Sequence, residues 1–322
     1  MFFKEWSRID PELKSSALLA KLLFHHSRNY FKLRVAMEAR SKTEIPSWLG
    51  VEEVLIPSLE GDHSIRTPIY RPHKLPENAP IVLYLHGGGY ALGTPERFLF
   101  AMAALMKVRP AIFVAPAYRR SLDAPYPAAI DDCYDALLWV KQNAERIGGR
   151  SDQIIVAGHS AGGGLTAAVS LRARDRGDVN IAYQFPIYPM IDDRMSLPSA
   201  VGNTAPVWNS KANKLGWDLY LKDLLVKGDE IPYDAAPARA TDYSGLPPTA
   251  TFIGDLDPFL DETREYVENL RAAGVSAKYA EFQGGFHGFE LVKPKSKIGS
   301  DANSFLFDCF SDAVDNYFAE QP

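Results

Sequence analysis

The sequence predicts an α/β protein with a mostly parallel eight-stranded sheet, helices on both faces and a helical cap. Three observations carry that expectation. Ile81-Val82-Leu83-Tyr84-Leu85 is a continuous apolar run, the pattern of a strand buried on both faces. Further apolar stretches alternate with helical patterns along the chain, the signature of parallel strands joined by crossovers. Finally, Ile154-Ile155-Val156-Ala157 runs into Gly158-His159-Ser160-Ala161-Gly162 and then into a small-residue, alanine-rich helix. The glycines allow the backbone to turn sharply and hold the Ser160 hydroxyl clear of the sheet.

The elements follow in order. Asp10-Pro11 reads as a cap and first helical position. From there Leu13, Leu18, Leu19, Leu22, Leu23 and Phe24 give an amphipathic helix, and a second helix is expected over 29–40. Both precede the first strand, so they are either a packing appendage or part of a lid, a role that suits Phe3, Trp6, Phe24 and Phe31. Residues 51–56 and 64–70 flank Glu60-Gly61-Asp62 as an edge hairpin. Strands at 81–85, 111–115, 153–157, 181–187, 249–253 and 275–282 complete the sheet, with helices at 128–142, after Ser160, at 263–273 and at 304–318. Between 187 and 248 no strand pattern occurs, a length that marks an insertion with its own task. Trp208, Trp217, Tyr220 and Leu221 lie in a helical stretch of it, read as the second half of a cap.

Composition narrows the function. The chain has 322 residues, 46% of them hydrophobic, and a net charge of -5. That balance lacks the basic surface that nucleic acid or an anionic membrane attracts. Cys133 and Cys309 are far apart and without metal-ligand spacing, so they read as reduced packing residues. Lys4, Glu5, Arg8, Asp10 and Glu12 interrupt any signal-peptide core, and no apolar run reaches membrane-spanning length. The expectation is a soluble, cytoplasmic protein with no metal, no nucleic-acid partner and no membrane insertion.

A serine hydroxyl needs a base to become a nucleophile, and seven histidines are available. His25 and His26 fall in the first helix, where a solvated or packing role is expected. His63 and His73 sit in turns without evident chemical neighbours. His159 is adjacent to Ser160, but consecutive side chains leaving a strand point to opposite sides. His287, in Gly284-Gly285-Phe286-His287-Gly288-Phe289 after the last strand, can lean over the carboxyl edge of the sheet, where open α/β sheets bind ligands. Its acid partner is sought in Gly254-Asp255-Leu256-Asp257-Pro258. Asp257, held extended by Pro258, is the choice and Asp255 the reserve. Asp261 and Glu262 are assigned to capping the following helix. His86-Gly87-Gly88-Gly89, after a buried strand, reads as a loop whose backbone N–H groups meet an oxyanion, with the Ala161 N–H completing the hole. A phosphate-binding loop would need a Gly-Lys-Ser/Thr ending, which is missing. Tyr90 and Leu92 are expected to line the adjacent pocket.

These residues form an ordered set that resembles the hormone-sensitive-lipase-like esterases of the α/β-hydrolase fold, the bacterial HGGG type. The set is His86-Gly87-Gly88-Gly89-Tyr90, Tyr118-Arg119-Arg120 with Pro125-Tyr126-Pro127, Gly158-His159-Ser160-Ala161-Gly162-Gly163, Asp257-Pro258-Phe259-Leu260-Asp261-Glu262 and His287-Gly288-Phe289. The resemblance implies Ser160 as nucleophile, Asp257 as acid, His287 as base, and Gly88, Gly89 and Ala161 as oxyanion donors. It implies cofactor-free hydrolysis of short- to medium-chain esters, with His86, Tyr118 and Arg119 supporting the loops. Residues 1–50 and 189–245 would form the cap, and 51–188 with 246–322 the catalytic domain. Trp208 and Trp217 would close over the substrate pocket with the N-terminal aromatics. Two departures stand out: His159 replaces the usual Asp or Thr, and Ser121-Leu122-Asp123-Ala124-Pro125 replaces a commoner Ala-Pro-Glu. The competing readings are an amide, formamide or lactone hydrolase with the same machinery, and a small-molecule binder like the plant gibberellin receptors, which lack the triad histidine. An exposed edge strand and the last helix suit a homodimer.

Overall fold

The computed structural model describes residues 4–24, 27–38, 40 and 43–322. Phe3, His25 and His26 lie outside the described residues. Asp10 caps a turn over Pro11–Leu13 by accepting the Glu12 N–H. The chain then runs through α1 (Lys14–Leu23), α2 (Arg28–Glu38), β1 (Leu49–Pro57), β2 (Ser64–Pro72), β3 (Ala79–Leu85), α3 (Leu99–Val108), β4 (Ile112–Val114) and α4 (Ala128–Asn143). It continues through β5 (Gly149–His159), α5 (Ala161–Arg176), β6 (Tyr183–Ile187), α6 (Ser210–Tyr220), α7 (Lys222–Lys227), β7 (Thr249–Gly254), α8 (Leu260–Ala272), β8 (Ala277–Phe282), α9 (Phe289–Val292) and α10 (Lys297–Asn316).

One eight-stranded sheet, in the order β1-β2-β4-β3-β5-β6-β7-β8, organises the molecule. The β1–β2 hairpin is antiparallel from Leu49↔Pro72 to Pro57↔Ser64, β2 pairs antiparallel with β4, and the remaining pairings are parallel. The edge hairpin alternates burial along β1, whereas β3 is buried at every position because helices cover both faces. Parallel pairing brings the carboxyl ends of β3, β5, β7 and β8 to one edge, and the loops leaving them carry the candidate residues. The free thiols of Cys133 and Cys309 are buried in α4 and α10. Among the described residues no helix is long and apolar enough to cross a membrane.

Four local expectations need correction. In α1 the buried side is Ala17 and Ala20, continuing from Leu13 in the turn before it, while Leu18, Leu19, Leu22 and Leu23 are exposed. Small alanines let the helix approach closely, and the leucine stripe is left facing outward. His63 does have chemical neighbours: its ring nitrogens meet Asp62 and Asp132 at 2.5 and 2.8 Å. Glu262 does not cap its helix, because its buried carboxyl accepts the N–H groups of Ile191 and Asp192 and so pins the segment after β6. Asp261 likewise accepts the Ser199 N–H. The helix α3 was not expected, since it is apolar on most sides and starts without a side-chain cap.

The N-terminal segment and the insertion touch. Thr204 accepts the Lys4 N–H and donates to Glu5, and Phe31 of α2 stacks on Trp208 at 6.3 Å.

Candidate active site

Ser160 sits where β5 ends and α5 begins, with φ 60° and ψ -121°. A side chain at positive φ is strained and persists only where its surroundings hold it. Here the Ser160 N–H donates to Ile187 O, and its carbonyl accepts from Gly164 and Met190. The turn leaves no room for a side chain nearby: a Cβ at Gly162 would lie 2.0 Å from Leu85 O. Ala161 is the first residue of α5, so its N–H has no intrahelical acceptor and faces the start of the helix.

His287 reaches this hydroxyl from the loop after β8. Its Nε2 is 2.9 Å from Ser160 Oγ, and its Nδ1 is 2.7 Å from Asp257 Oδ2. All three groups are buried. Asp257 also accepts the Phe259 N–H on Oδ1, which orients the carboxylate. A carboxylate on Nδ1 fixes the proton there and leaves Nε2 free to accept the serine proton. The imidazole is wedged edge-on between Phe259 at 5.2 Å and Tyr188 at 5.0 Å. Asp257 joins two consecutive turns, its N–H donating to Gly254 O and its carbonyl accepting from Leu260 N–H. Asp255 is engaged elsewhere, pairing with Arg8 at 2.8 Å and accepting the Gly284 N–H.

The glycine loop after β3 completes the floor. Gly88 and Gly89 hold φ 133° and 59° and border the same pocket as Ser160. His86 anchors the loop: its carbonyl accepts the Tyr118 hydroxyl at 2.7 Å, and the two rings stack at 4.1 Å. Burial pushes the His86 pKa down to about 4, so it stays neutral. Arg119 clamps the buried Asp132. His159 borders the same pocket, but its Nδ1 is engaged with the Tyr84 hydroxyl at 2.7 Å. Burial, assisted by the nearby His287, lowers it to about 3.

Above Ser160 opens a cavity of about 290 Å³. Leu92 and Trp208 are among the residues that line it. Tyr90 and Trp217 do not: Tyr90 has φ 62°, its ring stacks on Tyr220 at 4.0 Å, and its hydroxyl donates to Met190 O. Trp217 packs behind it at 5.4 Å. Both therefore support the wall from outside. The contact between Gly89 and Trp208 is so close that a Cβ at Gly89 would lie 2.1 Å from the indole. Lining residues missed from sequence include Tyr188, Phe98 and Leu291. Tyr188 directly follows β6, a position that marks the sheet's functional edge and was the available signal.

The comparisons with known proteins bear on the fold and the family. Residues 82–291, well over half of the chain, match the family model described as alpha/beta hydrolase fold. The chain is 35% identical over 292 residues to the carboxylesterase NlhH of Mycobacterium tuberculosis, covering 89% of this chain and 91% of that protein. It is 36% identical over 228 residues to the esterase LipI of Mycobacterium tuberculosis, covering 70% and 71%. A solved bacterial heroin esterase superposes with TM-score 0.86 at 31% identity, over 97% of this chain and 99% of that one. The chain belongs to the α/β-hydrolase family and, within it, to the hormone-sensitive-lipase-like esterases.

Proposed function

We propose that this carboxylesterase hydrolyses short- to medium-chain acyl esters through an acyl-serine intermediate on Ser160. The observation that carries the reading is the unbroken relay from Ser160 Oγ to His287 Nε2 at 2.9 Å and from His287 Nδ1 to Asp257 at 2.7 Å, under an apolar cavity. His287 takes the hydroxyl proton as Ser160 attacks the ester carbonyl. The N–H groups of Gly88, Gly89 and Ala161 meet the resulting oxyanion, a contribution of roughly 10²–10³ in rate per donor. Collapse expels the alcohol, which receives the proton from His287. A water then enters, loses its proton to His287 and releases the acid.

Residues 1–50 and 189–245 act as the two parts of a cap, a reading supported by the Phe31–Trp208 stack and the Lys4–Thr204–Glu5 contacts. A cavity of about 290 Å³ suits modest acyl groups. The buried free thiols support a reducing, cytoplasmic setting, and the open edge of β8 supports a homodimer, which sedimentation velocity tests. The function is tested with p-nitrophenyl esters of increasing acyl length beside Ser160→Ala. Turnover that peaks at short or medium chains and vanishes in the variant is expected. Equal rates for both proteins at every length would overturn the reading.

A further inference from the structure

Between the histidine loop and β6 lies a buried carboxyl that the ester chemistry leaves unused. Glu290, three residues after His287, is 1% exposed. Its Oε1 accepts the Tyr188 hydroxyl proton at 2.5 Å, while Oε2 has no hydrogen-bond partner among the described residues. A carboxyl removed from water with one oxygen unpaired is costly, and such groups call for an explanation.

Tyr188 links it to the site. Its ring stands edge-on to His287 at 5.0 Å and borders the catalytic pocket. It holds φ 33°, a strained value for a non-glycine residue, with its N–H on Phe252 O. Its neighbour Ile187 accepts the Ser160 N–H. One short segment thus braces both the serine backbone and the imidazole, and the Glu290 hydrogen bond fixes the end of its aromatic ring.

We infer that Glu290 is a positioning residue for His287, holding the Tyr188 ring against the imidazole and placing a switchable charge beside it. The inference rests on His287 serving as the base. Burial pushes Glu290 up to about 7, opposed first by the Tyr188 hydrogen bond. The groups that face it are Tyr188, His287 and Asp257, with Tyr84 and His159 close by. Burial keeps both tyrosines protonated and His159 neutral. A cavity of about 250 Å³ adjoins Glu290, and from α3 and α10 it is lined by uncharged residues, Ala104 and Asn303 among them. No cation from those helices masks the charge there. Ionised Glu290 therefore favours the imidazolium that forms as Ser160 attacks, and protonated Glu290 does not.

The test is the pH dependence of kcat/KM for a p-nitrophenyl ester in wild type, Glu290→Gln and Tyr188→Phe, each checked for an unchanged far-UV spectrum. Wild type is expected to show two ionisations on the acid limb, read as pair values. Glu290→Gln is expected to show one, with kcat lower by about three- to tenfold above pH 8 and KM little changed. Tyr188→Phe removes the opposing hydrogen bond, so the second ionisation moves to higher pH. A folded Glu290→Gln with the wild-type limb and kcat overturns the inference. Should that variant fail to fold, a Tyr188→Phe profile superimposable on wild type overturns it equally. Absence of turnover in wild type would instead sink the esterase reading itself.

Discussion

His159 bonds the Tyr84 hydroxyl at 2.7 Å, whereas the serine that follows it meets His287 at 2.9 Å. Adjacency in sequence thus places a second histidine at the site without giving it the proton-transfer geometry, which belongs to His287. His159→Gln is expected to keep kcat within about fivefold of wild type, because no proton passes through this ring. A loss of two orders of magnitude in steady-state kinetics would show that it does.

The same burial gives a stability signature. An unfolded histidine titrates near 6.5, whereas His159 in the fold is lowered to about 3. Between those values the unfolded chain holds the additional proton, so acid favours unfolding. The contribution is whole above about pH 6.5 and is lost as the pH falls toward 3. His86, at about 4, adds a slope of the same sign. Urea melts of His159→Gln from pH 7 to pH 4 should therefore fall less steeply than wild type, by about 1–3 kcal/mol across the window. Parallel curves would contradict the assignment.

The two aspartates after β7 separate cleanly. Asp257 meets His287 Nδ1, while Asp255 serves Arg8 and the Gly284 N–H. Asp257→Asn is expected to lower kcat by about 10²–10⁴, through the wrong imidazole tautomer. Asp255→Asn should stay within about threefold, since its ion pair involves a well-exposed arginine. Comparable losses in both would point to a shared role.

Trp208 lines the pocket, packed against both Gly89 and Phe31. Trp208→Ala should shift the preferred acyl chain longer by about two methylenes, and cost about 3 kcal/mol of stability. A chain-length profile that falls uniformly, with its optimum unmoved, would place the acyl group elsewhere.

Much of the strand pattern was legible because buried parallel strands carry continuous apolar runs, as in all of β3 and in residues 154–157 of β5. Ser160, Asp257 and His287, which the fold brings within hydrogen-bond distance, could be picked out because each follows a strand, β5, β7 or β8, in its own short motif. What escaped were features decided by contacts between distant segments. Tyr90 shares its loop with the pocket glycines Gly88 and Gly89, yet its positive φ sends the ring toward Tyr220. Glu262 begins a helix and could be read as a cap, until the fold brings Ile191 to it. In α1 the leucines carry the hydrophobicity, but alanines carry the packing. Periodicity alone does not say which face a neighbour will approach.

The central claim is that Ser160 forms a covalent acyl-enzyme, activated by His287. It is tested most directly by treating the protein with a stoichiometric alkyl phosphonate ester and measuring intact and peptide masses. One adduct per chain is predicted, on the peptide carrying Ser160, with labelling slowed by orders of magnitude in His287→Gln and absent in Ser160→Ala. An adduct that persists in Ser160→Ala, or maps to another side chain, would contradict it.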